Sequence, residues 1–328
     1  MAPSLGCQGT SYLEPRDWLL TFSYRHYHAF QDYQGSIQLP VPSPPSIYAD
    51  TRVNLVDVAV TYALTNRWSF TLQVPFAKAS RATYLEHDFV SLHTMRASGF
   101  GDAQLIANFW LLDPTTHPNE NVSAKFGFKP PTGVASKKDY SYRETGPVLR
   151  PVDPSIQPGT GGWGLVFGAQ AFKKIYARAS IYADGIYLSN PKEMNGTESP
   201  YGDVPEITFN DIGYMIDSIP DQYSVRAGIS HEIPRIKGLS GMFGVRMDGV
   251  KARDLFGGSD GYRLPGYSIS IEPGASFSHG KNFFSVNVPV TVRGHGSKTL
   301  ADTRTENPLA GIVTIADSQL ILSYSRRF

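Results

Sequence analysis

Between Phe284 and Val292 the chain reads F-S-V-N-V-P-V-T-V, so every second side chain is apolar. Side chains alternate faces along an extended strand. One face of this stretch is therefore hydrocarbon and the other small or polar, with Arg293 following. A strand in a soluble sandwich can carry such a pattern. Its recurrence along the whole chain, up to the aromatic terminus Ser323-Tyr324-Ser325-Arg326-Arg327-Phe328, favours a transmembrane β-barrel. In that fold the apolar face meets lipid and the polar face lines a lumen.

Composition agrees. Of 328 residues only 18% are charged, and 18 Tyr, 18 Phe, 31 Gly and 24 Pro suit aromatic girdles and many turns. The longest near-apolar run, about 105–112, falls far short of the roughly 20 residues that a membrane helix needs. A net charge of +1 gives no bulk argument for nucleic acid. The one cysteine, Cys7, excludes an intrachain disulfide. Ser4-Leu5-Gly6-Cys7 has the outline of a lipidation box, but no apolar stretch precedes it, which argues against lipidation. No secretory signal is visible, so either the sequence is that of a mature or shortened chain or the exported-barrel reading is wrong.

Residues 1–15 lack periodicity and read as a flexible N-terminal segment, and residues 16–328 as a single barrel. Alternation predicts twelve strands. The first carries Trp18, Leu20, Phe22 and Tyr24 outward and Leu19, Thr21, Ser23 and Arg25 inward. The fourth starts only near Gln104, after a loop ending at Ser98-Gly99-Phe100-Gly101. The seventh runs from Ile175 to Asp184, and the eleventh is the opening stretch. Connections alternate long and short. The expected architecture is all-β: one closed, antiparallel, up-and-down barrel with long extracellular loops and short periplasmic turns. Trp18, Trp68 and Trp163, with Tyr62, Tyr223 and Tyr267, sit near strand ends, as girdle residues would.

Three short motifs lie within residues 99–185: Gly99-Phe100-Gly101-Asp102 leading into the fourth strand, Lys129-Pro130-Pro131-Thr132-Gly133, and Pro158-Gly159-Thr160-Gly161-Gly162-Trp163 leading to Phe167-Gly168. Together they resemble elements of the MetA-pathway (phenol-degradation) family of outer-membrane transporter-like proteins. The resemblance implies a β-barrel concerned with uptake of apolar or aromatic compounds. It brings no catalytic residues.

Charges on the inward phase are the candidate lumen-lining, solute-binding residues: Asp57, Lys125, Lys129, Arg178, Asp184, Arg226, Arg246, Asp248, Glu272 and Arg293. Unpaired buried charges are costly, so these must meet water or each other. Six cations against four acids point weakly to anions. His26 and His28 share a strand face with Asp32 near, but two histidines without a defined third ligand do not make a metal site. His295-Gly296-Ser297, with Asn307 as orienter, is the one arrangement suggesting a barrel-surface lipid hydrolase. Gly257–Gly261 lacks the lysine and helix of a phosphate loop. The expected function is a non-enzymatic, cofactor-free channel in the cell outer membrane, passing small solutes down their gradient. Its partners would be membrane lipid and solute, and a protein partner or a second copy through the loops. A non-conducting docking barrel is the alternative.

Overall fold

Extended chain satisfies its backbone only by pairing, and each long alternating segment here pairs antiparallel with its neighbour. The computed structural model describes residues 12–45, 47–202, 208–305 and 307–328. The strands are β1 (Trp18–Gln34), β2 (Ile37–Gln38), β3 (Ala49–Ala63), β4 (Trp68–Thr83), β5 (His93–Phe100), β6 (Gln104–Trp110), β7 (Glu120–Lys129), β8 (Lys138–Arg143), β9 (Gly146–Pro151), β10 (Gly164–Lys174), β11 (Ala179–Ser189), β12 (Met194–Glu198), β13 (Ile216–Ser218), β14 (Gln222–Glu232), β15 (Leu239–Val250), β16 (Gly266–His279), β17 (Asn282–Asn287), β18 (Val290–Gly296) and β19 (Ile312–Arg327). Among the described residues two short helices, α1 (Ile212–Met215) and α2 (Leu300–Thr305), lie in loops.

Fifteen strands share one sheet. They make twelve staves, because β5/β6 and β17/β18 are each one stave broken in two and β2 is a two-residue addition. β19 pairs with β1 from Leu19↔Arg327 to Gln34↔Ile312, which closes the ring. The carboxy-terminal Phe328 N–H donates to the Trp18 carbonyl at 2.9 Å. The barrel thus has the strand number and closure that the alternation predicts.

The outer face is apolar where lipid would touch it. Phe22, Val56, Phe70, Leu72, Leu105, Phe126, Leu165, Val225, Phe243, Ile271 and Leu322 are all exposed. A continuous belt of this kind on a water-soluble protein would be an association surface; on a barrel it is the lipid face. At the short-turn end rings pair as Trp18–Tyr62 (4.8 Å) and Trp68–Phe109 (4.6 Å), and at the long-loop end as Phe128–Trp163 (6.4 Å).

Both broken staves face a proline. Pro75 of β4 lies beside the gap between β5 and β6, and its carbonyl accepts the Gly101 N–H at 2.9 Å. Pro273 of β16 lies beside the gap between β17 and β18, and its carbonyl accepts the Val288 N–H at 2.9 Å. A proline has no N–H for the ladder, so the neighbouring strand loses little by leaving the plane there.

Two strand limits differ from expectation. The fourth stave begins at His93, so Gly99–Asp102 interrupts a stave rather than opening it. The seventh begins at Ala179, because Ile175 and Tyr176 N–H both donate to the Ala179 carbonyl and close a turn. Of the N-terminal segment, Tyr12 packs on Trp110 and Phe172 (5.1 and 5.8 Å) and donates to the His117 carbonyl at 3.0 Å. Cys7 and the residues around it lie outside the described residues.

Candidate functional site: the lumen and the seam in its wall

The inward phase of β11, β14, β15 and β16 puts Asp184, Arg226, Arg246 and Ser270 in one rung. The result is a chain of ion pairs along one side of the lumen. Arg226 donates through Nε to Asp184 (2.6 Å) and through Nη1 to Glu272 (3.0 Å). Arg246 donates through Nε to Asp248 (2.7 Å), through Nη1 to the other Glu272 oxygen (3.3 Å) and through Nη2 to Ser224 (3.1 Å). Glu272 and Arg246 are almost wholly buried, at 1% and 2% exposure. Each guanidinium fork meets carboxylates on two sides, the arrangement that best offsets desolvation. Asp57 accepts from Gln73 Nε2 at 3.0 Å. Arg25 lies inward on β1 and is buried, with Asp57 inward on the adjacent β3.

Of the ten charges expected in the lumen, eight lie on its inward face. Arg178 does not: it sits exposed in the turn before β11. Arg293 does not either. Between Ile269↔Arg293 and Ser270↔Thr291 the β16–β18 register gains one residue, a bulge that carries Arg293 to the outer face opposite Ile269. Four cations then face four acids, and the expected cationic excess is gone. Two further charges belong to the site: Arg25, which alternation already places inward on β1, and Asp102, which lies in the break between β5 and β6 where no alternation exists to place it.

Asp102 joins the three glycine-rich motifs into one knot. Its carboxylate accepts from Lys129 Nζ (3.0 Å), Gly133 N (2.9 Å), and both Thr160 N (2.9 Å) and Thr160 Oγ1 (2.7 Å). Thr132 Oγ1 accepts from Ala103 N at 2.8 Å. Gly101, Gly133 and Gly159 touch backbone to backbone: a Cβ on Gly133 would lie 2.7 Å from Gly101 C and 2.8 Å from Gly159 Cα. Only residues without side chains allow that approach. The knot folds the 130–163 connection into the barrel, where Val152 and Ile156 pack against inward Val53, Ala79, Met95 and Ala97.

Further loops complete this cap. Glu86, Asp153, Tyr201 and Tyr262 gather around Arg81, with Arg81 Nε 2.7 Å from Glu86 and 3.7 Å from Asp153. Burial pushes the Glu86 carboxyl up to about 7, while Arg81 pulls it back. Two acids share one guanidinium, so one holds a proton near neutrality. The neutral acid's contribution is complete below the ordinary Glu range near 4.5 and is lost as pH rises through about 7. The cap is therefore expected to be tighter at pH 5 than at pH 8. After correction for intrinsic exchange, amide protection in residues 84–92 and 138–157 should fall by roughly 100-fold across that range. Glu86→Gln should flatten the difference.

Among the described residues the wall has a weak seam. β18 and β19 share a single paired position, Val290↔Ser318. Above it β18 pairs only with β16, and β19 only with β1. Thr291 Oγ1 donates to the Ala316 carbonyl (2.7 Å), and Gly296 N to the Gly35 carbonyl (2.9 Å). Tyr33 and Ile315 fill the gap against Gly294, where a Cβ would lie 2.6 Å from Tyr33 Cε2. Behind them lies a cavity of about 140 Å³ with a mainly apolar lining that includes Tyr27, Ala29, Tyr267, Ile315 and Ala316.

The other arrangements read from sequence are not assembled. His295 Nδ1 bonds Ser36 (2.8 Å) while its ring stacks on Tyr267 (5.0 Å), and Asn307 Nδ2 donates to the Tyr214 hydroxyl (3.1 Å). Neither contact orients a Ser297 nucleophile. His26 and His28 bond Asn54 (3.0 Å) and Asp50 (2.8 Å), whereas Asp32 is buried and accepts from Thr314 (2.6 Å).

No protein-family model matches this chain, and no curated protein matches it. Solved structures do. An outer-membrane channel from Pseudomonas putida F1 aligns over 98% of this chain and 100% of its own, with a TM-score of 0.62 and 14% identity. The P. putida toluene transporter TodX aligns over 97% and 91%, with a TM-score of 0.46 and 11% identity. The first likeness is one of fold. This chain is an all-β, closed, twelve-stave barrel with the fold of that channel.

Proposed function

We propose that this barrel is a passive outer-membrane channel whose solutes are small and apolar or aromatic. The observation that carries the reading is the pairing of a weak seam with an apolar cavity directly behind it. The axial route is narrowed by ion pairs and covered by the folded-in 130–163 connection. A charged solute on that route would have to compete with paired arginines. An apolar solute reaching Tyr33 and Ile315 meets side chains and a few scattered hydrogen bonds (Thr291–Ala316, Gly296–Gly35 and His295–Ser36) rather than a full ladder. The motifs that resemble the MetA-pathway family support the same reading, since they build the cap that covers the axial route. Nothing in the sequence resembles an energy-coupling motif, so the gradient drives the flux.

Ala316 borders the cavity and is itself buried. Ala316→Phe adds a ring that fills much of the space. In vesicles loaded with a fluorescence quencher, the variant should take up naphthalene at least about tenfold more slowly than the native protein, since a filled pocket forfeits most of its burial energy. Ion conductance should stay unchanged. Equal naphthalene rates would remove the seam from the pathway. A docking barrel would show no protein-dependent flux in either form.

A further inference from the structure

The outer face changes character at one height on three adjacent staves. The register aligns Val56 of β3 with Phe76 of β4 and Phe100 of β5, all exposed and apolar. One outward rung nearer the long loops, the same face presents Asn54, Lys78 and Ser98; the next presents Arg52, Ser80 and Arg96. Lys78 therefore stands diagonally between two arginines. Strand spacing and rise put its Cβ about 8 Å from each of theirs, within reach of one tetrahedral anion for side chains this long.

These cations are available. The Arg52 side chain is 60% exposed and touches Asp50 only through Nε, at 3.2 Å. Lys78 and Arg96 are exposed and make no side-chain ion pair among the described residues. Two acids lie near: Asp50, shared with His28, and Asp139, which accepts the Arg96 backbone N–H at 2.7 Å. The grouping is local. At the long-loop ends of β7, β10 and β14 the outward residues are Phe128, Leu165 and Tyr223, and the outward Arg293 of β18 faces Ile269 across the ladder rather than a second cation. A general rim of snorkelling cations would be spread around the barrel.

We propose that Arg52, Lys78 and Arg96 form a binding site for the phosphate of a membrane lipid in the leaflet at the long-loop end. Its acyl chains lie on Val56, Phe76 and Phe100 directly below. The inference rests on the membrane-spanning reading but not on which solute the lumen passes. Charge complementarity identifies the occupant: a net positive patch one rung above an apolar one matches an anionic headgroup above hydrocarbon.

The test uses purified protein in detergent and native mass spectrometry, with lipid A as probe. A neutral glycolipid of equal chain length and inorganic phosphate are the comparisons. The native protein should retain lipid A, with neither comparison substituting for it or displacing it. Arg52→Gln/Lys78→Gln/Arg96→Gln should bind it about 100-fold more weakly. Lys173→Gln, at the opposite end, should bind as the native protein does. Heat-modifiable gel mobility reports whether each variant is folded. If the triple variant is not, Lys78→Gln and Arg96→Gln alone should each weaken binding about fivefold. Unchanged affinity in the folded variants, equal retention of the neutral glycolipid, or displacement by inorganic phosphate would overturn the site. Unchanged naphthalene flux alongside lost lipid A binding would separate it from the solute pathway.

Discussion

Replacing Asp102 by alanine is expected to open the axial lumen. The native carboxylate accepts four hydrogen bonds from three residues in two separate stretches of chain. Its loss frees Gly133 and Thr160 from the barrel and leaves Lys129, only 2% exposed, without its counter-ion. Breaking a buried pair by removing one partner costs about 3–5 kcal/mol. That cost falls on the folded-in connection rather than the whole barrel, because the staves keep their own ladders. Opening of residues 130–163 should become at least about 100-fold more frequent. Planar-bilayer recordings should show several-fold higher conductance, and limited proteolysis should cut within 130–163. A variant as resistant and as narrow as the native protein would mean that Val152 and Ile156 hold the cap by packing alone.

The second large effect concerns Glu272. It is the carboxylate that Arg226 and Arg246 share, at 3.0 and 3.3 Å. Glu272→Ala leaves two guanidiniums side by side with one acid each, Asp184 and Asp248. Destabilisation of about 3–5 kcal/mol should follow, seen as earlier thermal unfolding in detergent. Adding Arg246→Met should recover part of it, since an apolar side chain of similar length needs no counter-ion. In the Asp102→Ala background, where the axial path is wide, Glu272→Ala should also shift the reversal potential towards anion selectivity. No shift would place the ion-pair chain outside the conducting path and make it purely structural.

Part of this site was legible in the residues. The inward positions of Asp57, Asp184, Arg226, Arg246, Asp248 and Glu272 follow from a two-residue period, which is local to each strand. Who pairs with whom was not legible, because Arg226 and Glu272 meet only once three staves are in register. Arg178 and Arg293 show where the period fails. A turn that closes four residues late, and a bulge of one residue, each defeat the alternation at those positions. The glycine motifs were visible as motifs. Their convergence on Asp102 needed the 130–163 connection to fold inward, a choice made by Val152 and Ile156 against four inward apolar side chains from three other strands.

By itself, the sequence determined an all-β barrel, its strand number, its lipid-facing side and most of its lumen charges. Each of these depends on neighbours two residues apart or on the spacing of turns. Only the tertiary structure decided the closed cap, the cancelled lumen charge, the weak seam between β18 and β19, and the cation patch at the rim. Those depend on register between strands far apart in the chain, and a single bulge or proline resets that register without disturbing the alternation on either side.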